Sequence, residues 1–314
     1  MLKFEFKGVN GELIAPQNPV YIVINQDENI PADDLTVAFP LFDNNTELCE
    51  VTVYDENEVV FRGIVDEQQN IVSSSRRITK IAARSMAAML LDNECMPVSY
   101  SYPSTSVIFD RHIKPNCIDS YIGEERVMEG NLKIPKGTTE WQAVTAFSLE
   151  AYGAVPRIEA EGTVNFYGVK SNSKLVFSNT DGIKYNSIKE NNKRCKLISR
   201  VLAKAGSSSR YDTVIADKNA VKRNVRRERY LDSTAGASLR VADTMIENGE
   251  KSSYEITVNA NERLINVLGA AVVFKDRELM KNEGLYVSGI YYQSTPGKEE
   301  TILTVKGGTV NVDT

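Results

Sequence analysis

The chain has 314 residues, about two domains' worth and enough to bury cores without disulfide or metal support. Hydrophobic residues make up 42% and charged residues 25%, which excludes wholesale disorder, and no apolar run approaches the ~18 residues of a membrane span. The net charge of −5 conceals an asymmetry: residues 1–70 carry three basic and fourteen acidic side chains, whereas residues 184–229 carry fourteen basic and four acidic ones. Blocks of −11 and +10 point to an internal or inter-subunit docking surface as readily as to nucleic acid.

The first ninety residues read as strands. Leu2, Phe4 and Phe6 alternate with charged residues, unlike a signal peptide, so synthesis in the cytoplasm is expected. Tyr21 to Val23 forms a second apolar run. The runs 51–54 and 59–61 flank Asp55-Glu56-Asn57, which suits a hairpin turn. Gly63 inside the next strand signals a bulge or a close backbone approach. After a strand around 77–81, a short helix is expected with Ser85 as N-cap, running through Met86, Met89 and Leu90.

From Pro97 to Pro135, prolines and glycines loosen the pattern, as in an insert or linker. Thr139 and Gln142 then form a capping box for a helix with Trp141, Val144 and Phe147 on one stripe, stopping at Gly153. Residues 157–160 and 163–166 pair across Glu161-Gly162. Strands are expected at 198–203 and 211–216, joined by a turn at Gly206 to Ser209. A helix through Leu239, Ala242 and Ile246 is expected to stop near Gly249, followed by strands at 254–258, 285–293 and 301–305, the last two joined through Pro296-Gly297. The fold class is mainly β with a few helices: two antiparallel β-barrel-like ends, 1–94 and 186–314, flank a mixed α/β middle region, 95–185.

Chemistry-bearing motifs are absent from the sequence: no G-x-S-x-G, no Walker A, no H-E-x-x-H and no EF-hand spacing. A single histidine rules out a histidine-rich metal site. Asp110 and His112 could be drawn as a base with its orienter, but a surface or linker histidine is the expected role. Cys49, Cys95, Cys117 and Cys195 lie far apart without C-x-x-C, which fits a reducing compartment and small buried hydrophobes. No catalytic residue, cofactor or metal is expected. The sharpest feature is the basic run from Lys222 to Tyr230, in which Arg223, Arg226, Arg227 and Arg229 are the docking candidates. Its readings are a solvated face, a surface for an acidic protein partner, and a nucleic-acid site. The last is weakened by the lack of interleaved aromatics beyond Tyr230.

The stretch from Val59 to Asp66, then Ile78 to Ser85 and Leu90-Leu91-Asp92, resembles the first barrel of phage tail baseplate hub proteins, in particular the XkdQ/YqbQ family of PBSX-like defective phages and related contractile bacteriocins. Further segments agree in order: 101–104, 134–141, 229–231, 285–292 and 300–305. The resemblance implies a homotrimer with two tail-tube-like barrels per chain, a ring adapting a sixfold tail tube to a threefold central spike. Tube, spike, other baseplate proteins and tape measure would be its partners. Nucleic acid would at most pass transiently through the lumen, no membrane would be contacted, and the family brings no catalytic residues. The competing expectation is a β-rich module that binds a surface glycan or protein receptor.

Overall fold

Alternation of Leu2, Phe4 and Phe6 with Lys3, Glu5 and Lys7 gives the strand Leu2–Gly8 one buried and one exposed face. The computed structural model describes residues 2–42, 46–204, 210–232, 238–280 and 284–307, without the side chains of 238–240. These residues are mostly strand with few helices, and the pairings are predominantly antiparallel. The chain divides into two compact units. The first holds residues 1–171, 261–269 and 289–301, and the second 172–260, 270–288 and the described residues from 302.

In the first unit, Leu2–Gly8 pairs with Leu13–Ile14 on one side and Leu48–Asp55 on the other. Glu58–Val72, Arg77–Ser85, Asp34–Pro40 and Tyr21–Asp27 follow across the sheet, and residues 289–294 pair with the last of these. The Phe39 ring lies edge-on at 5.3 Å from Phe4 and 6.0 Å from Phe6. Three strands separate Phe39 from those residues within the sheet. The sheet therefore curls until its ends share one core, with Ile24, Leu35, Val53, Phe61 and Ile81 inside. Gly63 permits that curl: a Cβ there would lie 2.1 Å from the Arg84 carbonyl oxygen. It marks a close approach of two backbones, and the register shifts in its strand fall to either side, at Val60 and between Val65 and Glu67.

A second core in the same unit is built around helix Glu140–Tyr152. Thr139 Oγ1 accepts from Gln142 N at 3.2 Å and Gln142 Oε1 accepts from Thr139 N at 2.9 Å, completing the capping box. Trp141, Val144 and Phe147 are buried against Leu90, Ile108, Leu132 and Phe166. Two expectations need correction. Ser85 ends a strand, and its hydroxyl accepts from Asp33 N at 3.0 Å; the short helix is Ala87–Asp92, with Met86 at its N-cap. The stretch from Pro97 to Pro135 is ordered structure with a share in the core. Val98–Ser101 pairs with Asn131–Ile134, and helix Thr105–Ile108 runs into a π-helical turn, Phe109–Ile113. Its prolines and glycines punctuate short elements instead of breaking a long one.

In the second unit, Tyr254–Ala260 buries every second residue and pairs antiparallel with Ser187–Asn192. Lys174–Phe177 and Ala271–Phe274 run parallel, with the Phe177 and Phe274 rings stacked at 5.4 Å. A separate three-stranded sheet places Arg200–Ala203 between Thr213–Ala216 and Glu228–Leu231. Helix Ser238–Lys251 covers one face of that sheet through Ala242, Met245 and Ile246, which pack with Val201, Ile215 and Leu231. Leu239, placed on this stripe from sequence, and the turn at Gly206 to Ser209 lie outside the described side chains and residues. Gly249 does not stop the helix. A Cβ there would meet the Lys196 carbonyl oxygen at 2.9 Å, so the glycine lets the helix lie against that turn.

Candidate docking surface

The basic run is held by the three-stranded sheet of the second unit. Asp217 caps helix Lys218–Lys222: its Oδ1 accepts from Asn219 N at 2.8 Å and Ala220 N at 3.0 Å. Arg194 Nη2 donates to the carbonyl of Arg223 at 2.7 Å, and Asn224 turns the chain with a φ of 58°. The strand Glu228–Leu231 then runs parallel to Arg200–Ala203.

The four arginines do not act as one patch. The Arg227 guanidinium donates to the Cys195 carbonyl, to Leu197 O at 2.9 Å and to Arg194 O at 3.5 Å, closing the 3-10 turn Arg194–Lys196. Its backbone is clasped by Ser199, whose Oγ accepts from Arg227 N at 2.9 Å and donates to Arg227 O at 2.8 Å. Arg223 is half-buried. Arg226 and Arg229 are exposed, with Arg229 Nη1 donating to the Glu228 carbonyl at 3.0 Å.

The register also assembles something the sequence pattern conceals. Leu202 lies opposite both Val214 and Tyr230, an apolar row across the sheet face turned from the helix. Val214 is 54% and Tyr230 63% exposed, too open for core residues. Tyr211 meets Tyr230 edge-on at 5.0 Å, Lys204 Nζ lies 4.6 Å from the Tyr211 ring centroid, and the Tyr211 hydroxyl donates to Asp232. Arg200 forms an ion pair of 3.5 Å with Glu228 on the same face. Lys204 in turn pairs with Asp232 at 3.3 Å, so the result is an apolar and aromatic strip rimmed by ion pairs, an apolar centre with a polar rim as in protein interfaces. The sequence signal was available in the alternation of 213–216, but the pairing of Tyr211 with Tyr230 depends on the sheet register.

The other chemistry-bearing cluster lies in the second core of the first unit. His112 is 4% exposed, so it is no surface or linker histidine. It faces Glu140 rather than Asp110: Nδ1 lies 2.6 Å from Glu140 Oε2, and Nε2 lies 2.9 Å from the Tyr100 hydroxyl. Cys95 Sγ donates to Glu140 Oε2 at 2.8 Å and lies 3.6 Å from His112 Nδ1. Burial, with the Glu140 hydrogen bond and charge, pushes the Cys95 thiol up to about 12. A thiol so held is protonated at neutral pH, and thiol and carboxylate share one imidazole nitrogen. A Cys–His pair for nucleophilic attack needs a thiolate, whereas here the thiol proton is directed to the Glu140 carboxylate. Of the other cysteines, Cys49 is half-buried and Cys117 and Cys195 are exposed, which corrects the expectation of buried small hydrophobes for all but Cys95.

No protein-family profile matches the sequence, and no curated protein matches it either. Among solved structures, the chain is similar to a tail protein from Neisseria meningitidis MC58, with a TM-score of 0.75 at 17% identity over 97% of this chain and 96% of that one. It is also similar to the 43 kDa tail protein of prophage MuSo2 from Shewanella oneidensis, with a TM-score of 0.76 at 14% identity over 97% of this chain and 98% of that one. The chain has the fold of phage tail proteins. An Escherichia coli component of the type VI secretion system, described as structurally similar to the T4 bacteriophage tail proteins gp27 and gp5, shares the tail-protein fold. Its TM-score is 0.57 at 10% identity, over 98% of this chain and 77% of that one. The apolar strip and the Cys95 cluster are thus carried on a tail-protein fold, the first in the second unit and the second in the first.

Proposed function

We propose that this chain is a structural baseplate hub of a contractile tail or phage-tail-like particle, of the XkdQ/YqbQ type. Three copies form a ring that adapts the sixfold tail tube to the threefold central spike. The observation that carries this reading is the likeness in fold, over nearly the whole of both chains, to tail proteins from two organisms. In this reading two tube-like barrels, 1–94 and 186–314, flank the middle region 95–185, and the two barrels of three subunits alternate around a pseudo-sixfold ring. Tube, spike, neighbouring baseplate proteins and tape measure are the partners, and any nucleic acid only passes through the lumen. The role is scaffolding, without turnover. Among the described residues no helix is long and apolar enough to cross a membrane.

Light scattering on the purified chain, alone and with spike or tube protein, tests this. A trimer is expected, and a stable dimer or tetramer under assembly conditions contradicts it. A second reading, a module binding a surface glycan or protein receptor, draws on the exposed Tyr230 and the half-buried Tyr211 packed against it. Binding of the isolated chain to cell surfaces, lost in Tyr230→Ala while the trimer still forms, would favour it.

A further inference from the structure

We propose that Cys95, His112 and Glu140 form a binding site for one divalent transition-metal ion of the zinc type. This goes beyond the tail role and runs against the sequence expectation of no metal. Among the described residues these three form the one group of three or more His, Cys, Asp and Glu side chains whose donor atoms converge within 4.8 Å. They come from three separate elements. Cys95 follows helix Ala87–Asp92, with its N–H donating to Thr138 O at 2.8 Å. His112 sits in the π-helical turn Phe109–Ile113, and Glu140 opens helix Glu140–Tyr152. Single π-helical turns are uncommon and recur where a helix must redirect a functional side chain.

The geometry suits a metal. Sγ, Nδ1 and Oε2 form a triangle with edges of 3.6, 2.8 and 2.6 Å. A circle through atoms so spaced has a radius of about 1.8 Å, less than the about 2.0–2.3 Å bonds zinc makes to sulfur, nitrogen and oxygen, so a point off their plane is within bonding distance of all three. Opening the two short edges to tetrahedral angles asks the Glu140 carboxylate to retreat by less than about 1 Å, a side-chain adjustment.

The donor chemistry is equally selective. One thiolate and one carboxylate neutralise a dication in a site where Cys95 and His112 are almost fully buried. Thiolate and imidazole select zinc-like ions over magnesium or calcium. On binding, the Cys95 S–H bond breaks, its proton leaves to buffer, and a sulfur–metal bond replaces the hydrogen bond to Glu140. His112 is oriented from behind: Tyr100 holds Nε2, and Asn116 Nδ2 donates to the His112 carbonyl at 2.8 Å. Three protein ligands leave a fourth position for water.

The test uses the untagged full chain, because an oligohistidine tag would add the only other imidazoles. After dialysis against zinc and then metal-free buffer, one zinc per chain is expected, together with a raised melting temperature that a chelator reverses. Cobalt should give a thiolate-to-cobalt charge-transfer band. That band should survive in the variant Cys49→Ser, Cys117→Ser, Cys195→Ser, where Cys95 is the one remaining thiol, and vanish in Cys95→Ser. Should Cys95→Ser fail to fold, the single imidazole of the wild-type chain still reports by NMR, and its signals should shift on stoichiometric zinc. A folded chain that stays metal-free in excess zinc, an imidazole that does not respond, or a cobalt band lost in the triple-cysteine variant would overturn the proposal.

Discussion

Arg227 shows why neighbouring residues of one charge do different work. Its guanidinium is engaged by three carbonyls of the 194–197 turn, so replacing it removes hydrogen bonds inside the second unit. Arg226 and Arg229 are exposed and can be reversed without that loss. In the hub account, Arg226→Glu with Arg229→Glu should slow ring assembly, more at low than at high salt, while leaving the melting temperature of the chain unchanged. Arg227→Glu should lower the melting temperature itself. Assembly by the double variant at the wild-type rate in low salt would remove this surface from the interface. A second residue-scale expectation concerns Glu299. Burial alone would raise its carboxyl, but hydrogen bonds from Tyr292 at 2.6 Å and Arg263 at 2.8 Å outweigh it and hold the pKa below the ordinary value. A carboxylate with a lowered folded pKa contributes stability that is fully present above its unfolded pKa and is lost as pH falls through the folded one. The melting-temperature gap between wild type and Glu299→Gln should therefore be widest above pH about 5 and narrow as pH drops below about 4. A gap independent of pH would show that the carboxylate charge contributes nothing.

At the scale of elements, the helix Glu140–Tyr152 ties the second core of the first unit together. Trp141→Ala should cost about 3–5 kcal/mol in denaturant unfolding, because the indole is 6% exposed and packed among apolar side chains. An unchanged midpoint would mean that the stripe faces a partner. This helix was legible in the sequence down to its capping box, since its signals are local: a hydroxyl, a glutamine three residues on, an apolar stripe and a closing glycine. The strands with strict alternation, Leu2–Gly8 and Tyr254–Ala260, were legible for the same reason. Asp34–Pro40 was harder to place because it buries Val37, Ala38 and Phe39 in succession and so loses the period of two. The Cys95 cluster could not be read at all. Its members stand 17 and 28 residues apart in sequence, and the pairing of His112 with Glu140 arises from how a π-helical turn faces a helix N-terminus. The Val214, Leu202 and Tyr230 row likewise needs a register that joins strands across a helix and a turn.

For the whole molecule, the central question is how the two charge blocks are used. The acidic block is not all available for docking: Asp33 is buried with Arg157, Asp55 pairs with Arg263, and Asp66 pairs with Arg84 at 2.7 Å. Exposed members such as Glu5, Glu47, Glu56, Glu58 and Glu67 remain on the surface of the first unit. In the ring account these meet Arg226 and Arg229 of a neighbouring subunit. Each exposed pair is worth about 0–1 kcal/mol, so in that account the charges set register and exclude wrong pairings, and the apolar strip is proposed to supply the adhesion. Screening over ~8 Å at physiological salt leaves such close pairs largely intact. The most direct measurement is electron microscopy of the assembled particles of the purified chain, with spike protein present. The account predicts class averages of a three-subunit ring with a central hole and near-sixfold modulation from two barrels per subunit. Solid, two-fold or four-fold particles would contradict it.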